Sequence, residues 1–215
     1  MAEIKFCGLT RATDARFAGA LGASYIGVVF AGGPRVQTPA SARAILDACE
    51  TPAKRVGVFG SSSPSEIAHI VREAALDIVQ LHGDPTVADI EAVRAECGVK
   101  VWAVTRVTDG LEPGVEIMFS TADAVVLDAR VDGVLGGTGV ALPWQRIARD
   151  VTRARVGGRL VLAGGLRPGN VAGAMSILSP DVVDVASGVE SAPGIKDHAR
   201  MRAFAAAAAQ QSEKT

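Results

Sequence analysis

Two residues of this chain are placed to move protons. Cys7 closes the short run Glu3-Ile4-Lys5-Phe6-Cys7, the first expected strand, and is followed at once by Gly8. As a thiolate it could act as a base or a nucleophile. An ordinary thiol ionises near pH ~8.5, so Cys7 would need cationic neighbours or helix N-termini to serve at neutral pH. An isolated cysteine in such a place is more often a small buried hydrophobe. Asp128 ends the run Ala124-Val125-Val126-Leu127. Apolar walls would raise its pKa and suit it to general-acid work, while a loop-capping carboxylate fits the position equally well. Together the two offer one base and one acid.

Other residues are suited to hold anions. Gly164-Gly165 lies just before Pro168, and Ser187-Gly188 follows the run Asp181 to Ala186. Glycines let backbone N–H groups converge on a phosphate, and a helix N-terminus adds a favourable dipole. Arg35, after Gly32-Gly33-Pro34, could grip a carboxylate bidentately or stand solvated in its loop. His82, beside Gly83, reads most simply as a neutral histidine bonded to backbone. No HExxH pattern or ligand-spaced His/Asp/Cys cluster occurs, so no metal is expected. A GxGxxG after the first strand is missing, which weighs against a dinucleotide cofactor.

These residues need elements that bring them to one place. Short β-branched runs alternate with alanine-rich amphipathic stretches along the whole chain. The strands expected are 3–7, 24–30, 54–59, 77–81, 100–105, 123–128, 159–164 and 181–187. Several are apolar almost throughout, as parallel strands covered on both faces are. Helices are expected near 11–21, 39–49, 64–75, 86–97, 142–154, 168–178 and 197–210, with a weaker signal at 110–120. Thr38-Pro39 and Ser63-Pro64 give a cap followed by a first-turn proline, and Pro168 reads as another helix start. Eight βα units in this length predict an α/β fold, a single-domain (β/α)8 barrel, over an open doubly wound sheet. The barrel would span residues 1–210, with 211–215 as a frayed tail.

In such a barrel the chemistry sits at the C-terminal rims of the strands, and phosphate is often bound after strands seven and eight. The rims here carry Cys7, Arg35, Gln80, His82, Arg106, Asp128, Gly164-Gly165 and Ser187-Gly188.

Composition fits that picture and excludes others. The 215 residues include 22 Lys+Arg and 23 Asp+Glu, a net charge of -1, which argues against a nucleic-acid surface. Aromatic residues make up 4%, too few for a base-stacking platform. The three cysteines, Cys7, Cys49 and Cys97, are widely spaced and odd in number, unlike a disulfide framework. No signal peptide or membrane span is visible, so the expectation is a cytoplasmic protein without membrane or nucleic-acid partners.

The ordered set of motifs resembles the phosphoribosylanthranilate isomerase family. The residues that carry the likeness are Lys5-Phe6-Cys7-Gly8-Leu9-Thr10, Pro34-Arg35, Val56-Gly57-Val58-Phe59, Gln80-Leu81-His82-Gly83 and Leu127-Asp128. Gly136-Gly137-Thr138-Gly139, Ala163-Gly164-Gly165-Leu166, Asp184 through Glu190, and Gly194-Ile195-Lys196-Asp197 continue it to the last helix. The resemblance implies a cofactor-free Amadori rearrangement of N-(5'-phosphoribosyl)anthranilate, an aldose–ketose isomerisation and the third step of tryptophan biosynthesis from chorismate. It implies Asp128 as the acid on the furanose ring oxygen and Cys7 as the base at the sugar C2. Arg35 would hold the anthranilate carboxylate, and Gly164, Gly165, Ser187 and Gly188 the phosphate. His82, Gly137 and Asp184 are further pocket candidates. The protein would act on this small-molecule substrate as a monomer or homodimer.

Gly33, Val140, Leu142-Pro143 and Ala186 depart from the family's usual residues without removing an acid, a base or an anion contact. Two other functions compete. A dual-substrate aminoaldose isomerase resembles barrels with aspartate at the end of the first strand, where this chain has Cys7. A non-catalytic binding scaffold would have no need of Cys7, Arg35 and Asp128 together.

Overall fold

The computed structural model describes residues 2–108, 110–129 and 142–212. Eight parallel strands close into a barrel in chain order, β1 pairing with both β2 and β8. They are β1 (Glu3–Phe6), β2 (Tyr25–Val29), β3 (Lys54–Phe59), β4 (Ile78–Leu81), β5 (Lys100–Val107), β6 (Ala124–Ala129), β7 (Leu160–Leu162) and β8 (Val182–Val185). Between and after them come α1 (Ala12–Ala20), α2 (Pro39–Asp47), α3 (Pro64–Ala74), α4 (Val87–Cys97), α5 (Val115–Thr121), α6 (Trp144–Ala154), α7 (Val171–Leu178) and α8 (His198–Ser212). This is the single-domain (β/α)8 barrel that the strand spacing predicts; closure rules out the open sheet. Among the described residues no helix is long and apolar enough to cross a membrane.

The near-continuous apolar strands have two cores to fill. Side chains alternate across a strand, so one set faces the helices and the other the barrel axis. The axial set is a compact cluster of Tyr25, Val56, Ile78, Trp102, Val104, Ala124, Val126, Val161, Ala163 and Val182. The same alternation then places polar residues one layer higher. Lys5, Gln80, Asp128 and Asp184 are buried at that level, over the apolar floor. β1 aligns Lys5 with Asp184 on β8, and β5 aligns Arg106 with Asp128 on β6.

Helix starts follow the sequence at α2 and α3. Thr38 accepts the Ser41 N–H, and Ser63 forms a reciprocal cap with Glu66. Pro168 does not begin α7. Asn170 Oδ1 accepts the Arg167 N–H and its Nδ2 donates to the Gly165 carbonyl, so residues 165–170 form a turn and the helix starts at Val171. A short antiparallel pair, β9 (Glu190–Ala192) with β10 (Ile195–Lys196), folds over the mouth after a 3-10 turn at Ser187–Val189; strand periodicity gives no sign of it. α8 continues to Ser212, two residues into the segment read as a tail.

Candidate active site

A cavity of about 540 Å³ opens at the C-terminal end of the barrel. Cys7, Arg35, His82, Asp128, Gly164, Gly165, Asp184, Ser187 and Gly188 all line it. Nine of the ten candidate residues therefore meet in one place; the tenth, Gly137, lies outside the described residues, as do Arg130 and the rest of the Gly136–Gly139 motif.

Cys7 continues β1, its N–H donating to the Val185 carbonyl of β8 at 2.9 Å. The thiol is not alone. Lys5, two residues earlier and therefore on the same face, puts its ammonium 3.3 Å from the sulfur. That ammonium also donates to Gln80 Oε1 at 2.8 Å and Asp184 Oδ2 at 2.6 Å. Burial pushes the Cys7 thiol above its ordinary value, and Asp184 adds to that, although Lys5 pulls the other way. The Lys5 ammonium is fully buried, yet Asp184 and Cys7 outweigh the cost of burial and raise its pKa. Lys5 thus stays charged.

Asp128 leaves the end of β6 pointing into the cavity. Its Oδ1 accepts the Ala129 N–H at 2.9 Å, and Oδ2 lies 3.4 Å from His82 Nε2. Burial pushes its carboxyl up to about 6, only partly countered by that N–H and by Arg106. His82 is driven the other way, down to about 4, by burial and then by the Arg106 guanidinium. The imidazole is therefore neutral at physiological pH, and its buried Nδ1 has no partner among the described residues. Arg106 sits behind it, donating to the His82 carbonyl at 3.2 Å and pairing with Asp84 at 2.9 Å. The resulting pair is a thiol and a protonatable carboxylate, both shielded from water.

Arg35 reaches the mouth across Gly8, which has φ +68° and no room for a Cβ, since one would lie 2.6 Å from Arg35 Cδ. Its Nε and Nη2 are already engaged by Glu190, at 2.9 and 2.6 Å. The side edge read as a bidentate carboxylate grip is thus filled by the protein's own carboxylate, leaving the Nη1–Nη2 end for a ligand. Lys196, also buried, donates to Glu190 at 2.9 Å and to the Ala186 carbonyl at 3.0 Å. Lys5, Glu190 and Lys196 are site residues that the residue reading passed over.

The two glycine-bearing loops, after the neighbouring strands β7 and β8, pack against each other at the mouth. Gly164 and Gly165 both have positive φ, +72° and +65°, and a Cβ at Gly164 would sit 2.7 Å from the Ala129 nitrogen. A Cβ at Gly188 would overlap the Leu166 carbonyl oxygen. Gly188 is thus pressed against the loop after β7, and Gly164 against the end of β6.

The family model described as N-(5'phosphoribosyl)anthranilate (PRA) isomerase matches residues 4–207. The N-(5'-phosphoribosyl)anthranilate isomerase of Pseudomonas fluorescens is 39% identical over 209 residues, covering 93% of this chain and 95% of the relative. The phosphoribosyl anthranilate isomerase of Thermus thermophilus superposes with a TM-score of 0.84 at 36% identity, covering 97% and 98% of the two chains. A further isomerase structure, in complex with reduced 1-(o-carboxyphenylamino)-1-deoxyribulose 5-phosphate, gives a TM-score of 0.82 at 31% identity over 98% of this chain and 100% of that one. With the family model and these relatives matching nearly the whole chain, it belongs to the N-(5'-phosphoribosyl)anthranilate isomerase family.

Proposed function

We propose that this protein converts N-(5'-phosphoribosyl)anthranilate to 1-(2-carboxyphenylamino)-1-deoxyribulose 5-phosphate, the third step of tryptophan biosynthesis from chorismate, with Asp128 and Cys7 dividing the proton transfers. The observation that carries the reading is a buried carboxyl held near 6 in the same cavity as a thiol with an ammonium at its side. Asp128, protonated, gives its proton to the furanose ring oxygen as the C1–O bond breaks and the nitrogen lone pair forms the C1=N bond. Cys7, as thiolate, takes the C2 proton, and those electrons form the C1=C2 bond of the enolamine as the C1=N π pair returns to nitrogen. Protonation at C1 with loss of the C2 hydroxyl proton gives the ketose, and passage of a proton from Cys7 back to Asp128 restores the starting state. Every proton is accounted for without a redox partner.

Arg35 faces the anthranilate carboxylate with its free end, and the loops at Gly164-Gly165 and Ser187-Gly188 take the phosphate on backbone N–H groups. A phosphorylated substrate and product, unable to cross a membrane unaided, support a cytoplasmic site for the reaction.

The test is loss of anthranilate fluorescence when the protein meets substrate generated in situ. The expected result is saturable turnover. Tight binding of the reduced product analogue with no turnover would refute the enzyme and favour a binding scaffold.

A further inference from the structure

Lys5 occupies a position where a strand of this kind ordinarily carries an apolar residue. Its side chain is fully buried, and all three ammonium hydrogens have partners: Asp184 Oδ2, Gln80 Oε1 and Cys7 Sγ. The Trp102 ring lies beneath, 5.9 Å from the nitrogen to its centroid. β2 makes space for the pair with Gly27, where a Cβ would come within 3.0 Å of Cys7 Sγ and 3.3 Å of Lys5 Cε. Buried ion pairs are poor sources of stability, because desolvation consumes most of the attraction. A cation walled in by glycine and tryptophan and aimed at a sulfur therefore asks for a role beyond stability.

We propose that Lys5 is a positioning residue for proton abstraction: its ammonium is the counter-charge that stabilises the Cys7 thiolate, and Asp184 is the opposing charge that limits this effect. The inference rests on the reading of Cys7 as base. Thiolate formation places a negative charge one hydrogen bond from a cation in a low-dielectric setting, where such an interaction is strong. Asp184 competes for the same ammonium at 2.6 Å and repels the thiolate. Lys196 and Arg35, which share the single negative charge of Glu190, face Cys7 from the mouth, and Asp128 lies across the cavity; among the described residues Lys5 is the cation in direct contact with the sulfur.

The experiment titrates the thiol itself. In a Cys49→Ala/Cys97→Ala background, the rate of Cys7 alkylation by iodoacetamide is followed by mass spectrometry against pH. Lys5→Met is expected to move the apparent thiol pKa up by about one unit or more, and Asp184→Asn to move it down. In steady state Lys5→Met should lower kcat/KM about 10- to 100-fold, a loss that narrows as pH rises, with affinity for the reduced product analogue much less affected. If Lys5→Met fails to fold with Asp184 left unpaired, Lys5→Met/Asp184→Asn replaces it, and its thiol pKa must exceed that of Asp184→Asn alone. An unchanged pKa in Lys5→Met, or equal values in that second pair, overturns the proposal. Failure of Cys7 as base is read separately, as undiminished turnover by Cys7→Ser, which leaves the titration result standing.

Discussion

At the scale of residues, the site rests with its acid and base in the reverse of the protonation states in which they act. With Asp128 raised to about 6 and Cys7 raised above the ordinary thiol range, the pair shares one proton across the neutral range. The active form has that proton on the aspartate. Its share of the population is small but constant between the two pKa values, so kcat/KM should rise to a plateau with an acid limb near 6. In Asp128→Asn only the thiol titrates, and the acid limb should move up toward the raised Cys7 value at a much reduced rate. A limb that stays near 6 in that variant would assign it to another group.

The same raised carboxyl weakens the fold. A folded pKa above the ordinary 3.8 means stability is fully present below that value and is lost as pH climbs through about 6. Asp128→Asn, which cannot ionise, should therefore outlast the parent at pH 8 by up to about 3 kcal/mol and match it near pH 4. Urea unfolding at the two pH values measures both. Cys7, Asp128 and Arg35 were legible in the sequence because each ends a strand or opens a loop at the rim. Lys5 was not, because lysine reads as solvent-exposed, although its spacing of two from Cys7 already put it on the cysteine's face.

At the scale of elements, the loops after β7 and β8 are built against each other. Gly188 leaves no space for a methyl beside the Leu166 carbonyl, so Gly188→Ala must push the two loops apart. Overpacking of this kind costs about 1–3 kcal/mol. We expect a lowered Tm and a KM for the phosphorylated substrate raised about tenfold or more, with a much smaller change in kcat. An unaltered KM would separate these loops from phosphate binding. Strand and helix positions were visible in the sequence since burial on both faces makes the strands largely apolar, with polar residues mostly at their ends. The hairpin of β9 and β10 was not visible, because two or three residues per strand are too few for a pattern. It is held instead by Thr10 Oγ1 donating to the Gly194 carbonyl and by the Glu190 pairs with Arg35 and Lys196. Pro168 misled for a related reason: proline starts turns as well as helices, and Asn170 makes this one a turn.

At the scale of the whole molecule, the two ends of the barrel do different work. At the end opposite the cavity, an aspartate precedes each of β4, β6 and β8. Asp77 accepts the Arg55 N–H, Asp123 the Val101 N–H and Asp181 the Leu160 N–H, each from the strand before. Asp123 and Asp181 also pair with arginines, Arg94 of α4 at 2.9 Å and Arg155, just past the end of α6, at 2.7 Å. These clasps satisfy strand-end donors and tie successive βα units together. Removing Asp181 leaves the Leu160 N–H without its acceptor and takes one of three acceptors from the Arg155 guanidinium. Asp181→Ala should cost about 1–3 kcal/mol of stability while leaving kcat and KM near the parent values, by unfolding and by assay. A parent-like Tm would show that closure does not depend on the clasp.

The central claim is that Asp128 delivers one proton and Cys7 removes another. It is tested most directly by measuring kcat from anthranilate fluorescence for Cys7→Ser and Asp128→Asn beside the parent, together with the affinity of each for the reduced product analogue. Both variants are predicted to lose about 100-fold or more in kcat, the scale of a missing general acid or base, while binding the analogue nearly as the parent does. Parent-like kcat in either variant would contradict the role assigned to that residue.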